Sequence, residues 1–217
     1  FKKYKIKSIL ELGAGRDLQF SLLAINSLSK SICVDLFPQA KIRQINNRIV
    51  EIYSLLFKDR KPPQVINFED LYEKLGIQYI APCQNYYLPS LINSVDAMVS
   101  INTMEHIPLS DIKKIHKKIS KLFQVKKKYI IHVIDYSDHY SHTDKKIDPF
   151  HFRSYSENEW KRFNHNCHYQ NRLSHNDFKK VYTELGLNII FEKKLKYAFN
   201  KYEGKLECIK GLFVMRT

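Results

Sequence analysis

A short run near the start of the chain has the residue types and spacing of a nucleoside-binding turn. Gly13 and Gly15 stand in the run ELGAGRD, directly after an apolar segment, and Asp35 ends the next apolar segment. Two glycines let the main chain turn sharply and approach a ligand where a Cβ would collide. Asp35 can accept hydrogen bonds from a ribose diol, and Glu11 suits a cationic ligand. The sequence therefore predicts a nucleoside site, with an ordinary glycine turn as the alternative.

The rival ligand for this turn is a dinucleotide. Its pyrophosphate needs a third glycine three residues after the second, but Leu18 stands at that position. Asp17 would also place a carboxylate beside the anion. A sulfonium with an amino-acid tail therefore fits the turn better than a pyrophosphate does.

Histidines and carboxylates concentrate in the second half of the chain, where seven of the nine histidines lie within residues 132–175. His132, Asp135, Asp138 and His139 lie at or just after the end of one predicted strand, and ligands of open α/β folds bind at that edge of the sheet. Because imidazole titrates near neutral pH, we predict His139 as a general base oriented by Asp138 or Asp135. The alternative is a polar loop whose groups satisfy one another.

Three further residues are candidates for the same region. His106, next to Glu105, follows another predicted strand, and we include it as a catalytic candidate. An adjacent ionisable pair also readily forms a structural hydrogen bond that locks a loop. Asn171 and Arg172 can bind an anionic or hydroxylated acceptor, Arg172 through its rigid fork, or can fasten the surrounding segment to the sheet.

A metal site is conceivable but not predicted. Its ligands would come from two sets of residues: Asp138, His139, His142 and Asp144, or Cys167 and His168. Neither set has the paired spacing of a structural zinc site. The sequence therefore predicts no metal.

The elements that must position these residues alternate along the chain. Short apolar runs predict strands at residues 6–12, 31–35, 77–81, 95–101 and 129–134, and helical spacing predicts helices at residues 17–28, 38–57, 68–75 and 110–123. This alternation indicates βαβ units and a mostly parallel sheet with helices on both faces. Residues 135–172 interrupt it, with one short helix predicted from the capping box of Ser156 and Glu159.

The last part of the chain returns to regular elements. We predict a helix at residues 174–185, ended by Gly186, and an antiparallel hairpin of residues 188–194 and 208–216. A connection of about a dozen residues would join these two strands. We expect one domain, residues 1–217, with residues 136–173 as an inserted substrate cap.

Composition narrows the class of protein. The 217 residues are 44% hydrophobic, which argues against a disordered chain, and no run of 18 apolar residues exists to form a transmembrane helix. The net charge is +14, but the lysines are spread over helix faces, so we expect a solvated surface and not a nucleic-acid partner. Scattered cysteines predict a reduced, cytoplasmic chain. No oligomeric state is predicted, and the start at Phe1 leaves room for an upstream segment.

The motifs together resemble class I S-adenosylmethionine-dependent methyltransferases over nearly the whole chain. ELGAG is similar to the first motif of that family, VDLF to the segment with the acidic ribose ligand, and SVDAMVSINTMEHI to the fourth motif. The likeness implies a Rossmann-like α/β sandwich with a mostly parallel seven-stranded sheet and an antiparallel C-terminal hairpin. It also implies S-adenosylmethionine as cofactor, held by Glu11, Gly13, Ala14, Gly15, Asp35, Gln84 and Ser100. Gln84 stands where the family usually has an Asp near the adenine.

A narrower likeness concerns the segments IHVIDYSDHY, FHFRSYSENEW and YQNRLS. They resemble a bacterial methyltransferase subgroup often found among genes for surface polysaccharide biosynthesis. We therefore predict O-methylation of a small molecule or glycan precursor, with His132, Asn171 and Arg172 on the acceptor. A nucleic-acid methyltransferase is one alternative, although Ser100-Ile101-Asn102-Thr103 replaces the Asn/Asp-Pro-Pro-aromatic motif of enzymes that methylate base amino groups. A cofactor-binding module without turnover is the other.

Overall fold

The computed structural model describes residues 1–83, 88–123, 128–165 and 169–217. They divide into two compact units, Phe1–Ile101 and Asn102–Thr217. The first unit contains four strands: β1 (Ser8–Leu12), β2 (Lys30–Val34), β3 (Ile77–Ile80) and β4 (Ala97–Ile101). β1 pairs in parallel with β2 and β4, and β2 pairs in parallel with β3. Its α-helices are α1 (Gln19–Leu23), α2 (Ile42–Leu56), α3 (Phe68–Leu75) and α4 (Leu88–Asn93).

Burial explains these elements. Four of the five residues in each of β1, β2 and β4 are buried, as expected for parallel strands covered on both faces. On α2, Ile45, Ile49 and Ile52 recur at helical spacing and pack with Leu71 of α3 in one apolar cluster. α3 begins after Asn67, whose side chain caps the helix, and ends at Gly76 in the left-handed conformation.

The second unit contains β5 (Tyr129–Asp135), β6 (Asn188–Asn200) and β7 (Lys205–Arg216). β7 pairs antiparallel with both β5 and β6. The helices are α5 (Leu109–Phe123), α6 (Tyr140–Thr143), α7 (Glu157–Trp160) and α8 (His175–Glu184), with 3-10 turns at Met104–His106 and His151–Ser154. In the order of pairing, the strands run β3-β2-β1-β4-β5-β7-β6 in a seven-stranded sheet. The predicted mostly parallel sheet with an antiparallel C-terminal hairpin is therefore confirmed.

Two predictions for the second unit were wrong in detail. The hairpin connection is residues 201–204, not about a dozen, because β6 continues to Asn200 and β7 starts at Lys205. Leu195, Tyr197 and Phe199 stand at every second position of that extension, a strand signal that Lys194 and Lys196 obscured. Residues 135–172 contain α6 and a 3-10 turn besides the predicted helix after Ser156.

Within the described residues, every helix is too short or too polar to cross a lipid bilayer.

Candidate active site

The turn after β1 has the backbone conformation that its glycines predict. Gly13 and Gly15 have φ of 71° and 74°, in the left-handed region that side chains disfavour. The Gly13 amide donates to the Val34 carbonyl at 2.8 Å, which ties the turn to the end of β2. A Cβ added to Gly15 would meet no atom within 4 Å, so the face of this turn is open.

Asp35 follows β2 directly and lies beside the turn. Its side chain is buried, and its carboxylate accepts from the Gly15 amide at 3.2 and 3.3 Å and from the Tyr79 hydroxyl at 3.0 Å. The Tyr79 hydroxyl in turn accepts from the amides of Gln39 and Ala40. Burial raises the pKa of Asp35. The structure therefore brings together Asp35 and the glycine turn, and it adds Tyr79, which sequence reasoning missed.

Tyr79 could have been found only through strand register. It lies on β3 opposite Cys33 of β2, near the end of that pairing. A tyrosine at that place can reach the first residue after β2. The sequence alone does not give the register, so it does not connect Tyr79 with Asp35.

Glu11 lies in the interior of the first unit. It is 2% exposed, and the Ser21 hydroxyl donates to its carboxylate at 2.5 Å. The Cys33 thiol donates to the Ser21 oxygen at 3.1 Å. Burial raises the pKa of Glu11 to about 7. Near neutral pH this carboxyl group is therefore balanced between its neutral and charged forms.

The remaining predicted cofactor residues differ in position. Ala14 and Ser100 are buried, Ala14 in the turn and Ser100 on β4 opposite Leu12. Gln84 lies outside the described residues. Asp17 accepts from the Arg48 guanidinium at 2.7 and 2.9 Å, so an arginine on α2 offsets the carboxylate that argued against an anionic ligand.

In the second unit, three predicted or neighbouring residues converge. Glu105, His106 and His139 have ligand atoms that all lie within 4.8 Å of one another. His106 donates through Nδ1 to the Tyr169 carbonyl at 2.8 Å. Glu105 is 1% exposed, and burial raises the pKa of its carboxyl group to about 8. Its Oε1 accepts from the Asp135 amide, whereas its Oε2 has no hydrogen-bond partner among the described residues.

Asp135 and Asp138 have contacts of their own. Asp135 accepts from the amide and hydroxyl of Ser137, and its other oxygen lies 3.6 Å from Nε2 of His142. Asp138 is buried and accepts from the Tyr140 amide at 2.9 Å. The His139 ring lies 4.9 Å from that of His142. His142 is thus a further imidazole of the cluster, while Asp138 as an orienting group for His139 stays a prediction.

His132 lies in the core of the second unit. It is fully buried, and its Nε2 lies 2.9 Å from Nε2 of His116, on α5. Burial lowers the pKa of His132 and lowers that of His116 to about 4. Both rings are therefore neutral near pH 7, and one donates to the other. Sequence reasoning missed His116, although it shares the apolar stripe of α5 with Ile112 and Ile119.

Asn171 and Arg172 connect distant parts of the second unit. The Asn171 amide group donates to the carbonyls of Met104 and Ile107 at 2.8 and 2.9 Å. The Arg172 guanidinium donates to the carbonyls of Phe152 and Tyr155 and pairs with Glu157. These hydrogen bonds hold neighbouring segments of the second unit together. The role of Asn171 and Arg172 in binding the acceptor stays a prediction.

Comparison with known proteins shows the fold. No protein-family profile and no curated protein matches the chain. Among solved structures, the chain is similar over its full length to 93% of the methyltransferase domain of bacterial CtHen1-CN, with 14% identity and a TM-score of 0.52. Over 97% of its length it is similar to 51% of an O-methyltransferase family protein from Burkholderia thailandensis, with 10% identity and a TM-score of 0.52.

A third similar structure contains a form of the expected cofactor. It is geranyl diphosphate C-methyltransferase from Streptomyces coelicolor A3(2) in complex with Mg²⁺, geranyl diphosphate and S-adenosyl-L-homocysteine. The identity is 10%, the TM-score is 0.50, and 97% of this chain is aligned with 71% of that chain. These likenesses show that the chain has the Rossmann-like fold of S-adenosylmethionine-dependent methyltransferases.

Proposed function

We propose that this chain is an S-adenosylmethionine-dependent methyltransferase whose first unit binds the cofactor. The observation that carries the proposal is the buried Asp35 carboxylate, held at the end of β2 beside a glycine turn with an open face. Its bonds from Gly15 are longer than the usual 2.9–3.0 Å, so a ribose hydroxyl can replace them at little cost. Leu36 and Phe37 follow Asp35, are each 66% exposed, and offer apolar surface to the faces of a purine.

The charge of the turn supports a sulfonium ligand over a pyrophosphate. Leu18, in place of the third glycine of a dinucleotide site, is fully buried in the core. Asp17 is paired with Arg48, so Glu11 and Asp35 supply the remaining carboxyl groups of this region. Because the pKa of Glu11 is about 7, the arrival of a cation can shift this group to its charged form.

The second unit would supply the groups that act on the acceptor. In methyl transfer, an acceptor oxygen attacks the methyl carbon in line as the carbon–sulfur bond breaks, and the bonding electrons return to sulfur. A hydroxyl acceptor must also lose its proton. The imidazoles of His106, His139 and His142 lie together with Asp135 and can receive it, with His139 as the first candidate. Holding the reactants in near-attack geometry supplies most of the remaining acceleration.

For the acceptor, we favour a hydroxyl of a small molecule or glycan precursor. The resemblance of residues 131–140, 150–160 and 169–174 to the polysaccharide-associated subgroup supports this choice. We assign residues 136–173 as the segment that covers the acceptor, fastened through Asn171 and Arg172. An RNA acceptor is the second candidate because the net charge of +14 favours polyanions.

The test has two stages. First, the chain is titrated calorimetrically with S-adenosylmethionine, S-adenosylhomocysteine and, as a control, a nicotinamide dinucleotide. Binding of the first two with a Kd in the micromolar range, and none of the third, supports the proposal; binding of the dinucleotide alone would refute it.

Second, the chain is incubated with methyl-labelled cofactor and separate pools of glycans, small phenols and alcohols, and single-stranded RNA. Label transfer to the hydroxyl pools is expected. Transfer to RNA, with RNA binding that weakens steeply as salt rises, would favour the second candidate. Cofactor binding with no transfer to any pool would identify a module without turnover.

A further inference from the structure

Four side chains around His139 form a cluster of metal-ligand groups in the second unit. The ligand atoms of Glu105, His106 and His139 lie within 4.8 Å of one another, and so do those of Asp135, His139 and His142. His139 is common to both sets. Its ring lies 4.8 Å from the His106 ring and 4.9 Å from the His142 ring, measured between ring centroids.

The orientation of His106 is the one that a metal ligand needs. Its Nδ1 lies 2.8 Å from the Tyr169 carbonyl oxygen, which can only accept. Nδ1 must therefore carry the hydrogen, so in the neutral ring Nε2 keeps its lone pair. A second hydrogen bond from the far ring nitrogen to a carbonyl is the usual way in which proteins orient a metal-binding histidine.

Glu105 supplies an unsatisfied oxygen. The residue is 1% exposed, and its Oε2 is buried with no hydrogen-bond partner among the described residues. Leaving a buried carboxyl oxygen unpaired is unfavourable. A cation held by this oxygen and the nearby imidazoles would remove that penalty.

We propose that Glu105, His106 and His139 form a binding site for one divalent transition-metal ion. Two imidazoles and one carboxylate suit ions such as Zn²⁺, Fe²⁺ or Co²⁺ better than Mg²⁺ or Ca²⁺, which prefer all-oxygen sites. Three protein ligands leave coordination positions open for water or for an acceptor oxygen. Asp135 and His142 form a second set of ligand groups with His139.

The chemical role of the ion rests on the proposed methyl transfer, whereas the binding of the ion to the chain does not. A divalent ion that binds the acceptor hydroxyl makes loss of the hydroxyl proton easier. His139 would then hold the ion and would not itself receive the proton. The proton passes to solvent or to a neighbouring base as the acceptor oxygen attacks the methyl group.

The experiment measures metal binding in the absence of cofactor and acceptor. The full chain is treated with a chelator, exchanged into metal-free buffer, and titrated with Co²⁺ alone and with Zn²⁺ alone. Visible absorption of Co²⁺ reports the coordination, and calorimetry gives the stoichiometry. We expect one ion per chain, with Glu105→Gln and His106→Gln each weakening Co²⁺ binding at least tenfold.

The matched control is His151→Ala. His151 lies in the same unit, but its ring nitrogens are hydrogen-bonded to the hydroxyls of Tyr202 and Tyr155, and it belongs to neither set of metal-ligand groups. Its removal should change Co²⁺ affinity less than twofold. Circular dichroism shows whether each variant folds. If Glu105→Gln does not fold, His106→Gln alone tests the site.

Two results would overturn the site: no saturable binding of either ion by the wild-type chain, or equal affinity in the cluster variants and the control. Because the titration contains no S-adenosylmethionine, failure here leaves the cofactor titration untouched. A failed cofactor titration likewise leaves the metal result standing.

Discussion

Replacement of Asp35 by Asn isolates the group on which the cofactor proposal depends. The substitution keeps the size of the side chain but removes its charge and turns one acceptor oxygen into a donor. Because burial already raises the pKa of Asp35, the site disfavours the charged form, and the neutral variant should fold. Any loss of binding then reports on the ligand and not on the fold.

The size of the effect follows from the hydrogen bonds at stake. A hydrogen bond to a charged group contributes about 1.5–3 kcal/mol. The bonds from the diol replace the long bonds from Gly15, which offsets part of their contribution. We therefore expect Asp35→Asn to weaken cofactor binding by about 2–3 kcal/mol. This loss corresponds to a Kd that is about 30-fold to 150-fold higher.

Calorimetric titration with S-adenosylhomocysteine measures this change, and thermal unfolding confirms that the variant is folded. Asp17→Asn is the matched control: it removes a carboxylate from the same turn, but one that Arg48 already binds. Its Kd should stay within about threefold of wild type. A folded Asp35→Asn chain with wild-type affinity would refute the assignment of Asp35 to the ribose.

Three further predictions concern stability. Glu11→Gln should become more stable relative to wild type as pH rises from about 4.5 to about 7. Burial raises the pKa of Glu11 to about 7, so ionisation of this group destabilises the folded wild-type chain over that pH range. At 1.36 kcal/mol per pKa unit, the relative gain of the variant is at most about 3 kcal/mol. Urea unfolding at several pH values measures it, and a pH-independent difference would contradict it. Gly211→Ala should cost about 1–3 kcal/mol because its Cβ would meet His175 and would lie 2.7 Å from the Tyr136 hydroxyl; an unchanged Tm would count against this packing. Asn171→Ala should cost about 1–3 kcal/mol because it removes the side-chain donor to the Ile107 carbonyl and one of two donors to the Met104 carbonyl, which still accepts from the Ile107 amide. Exposed Asn158→Ala should cost far less. Equal urea midpoints for the two Asn variants would refute that role.

The local elements were largely predictable because their signals are local. The glycine turn follows from the spacing of Gly13 and Gly15, and the capping box at Ser156 is present where the sequence predicts it. α3 also has its predicted bounds, since the Asn67 cap and Gly76 mark both ends. Such signals act within a few residues and do not depend on packing.

Contacts between distant segments were not predictable in the same way. Tyr79 reaches Asp35 across a strand pair, and Arg48 reaches Asp17 from the middle of α2. His116 on α5 and His132 on β5 are in contact in the core. The local sequence around each residue indicates only a helix or a strand and gives no sign of this contact. Strand register and side-chain packing create these contacts, and neither can be derived from a single sequence.

The histidine cluster shows the same limit. The expectation of no metal rested on ligand pairs close in the chain, but Glu105 and His106 precede α5 while His139 follows β5. Their approach within 4.8 Å depends on the fold of the second unit. Spacing rules for structural zinc sites therefore do not apply to such an arrangement.

Hydrogen exchange with and without S-adenosylhomocysteine tests the central claim most directly, because it locates the bound ligand on the chain. We predict that the ligand slows amide exchange at least tenfold in peptides covering residues 12–16 and 34–37, which contain the glycine turn, Asp35 and the exposed Leu36 and Phe37. Binding that leaves exchange in both peptides unchanged would contradict the account.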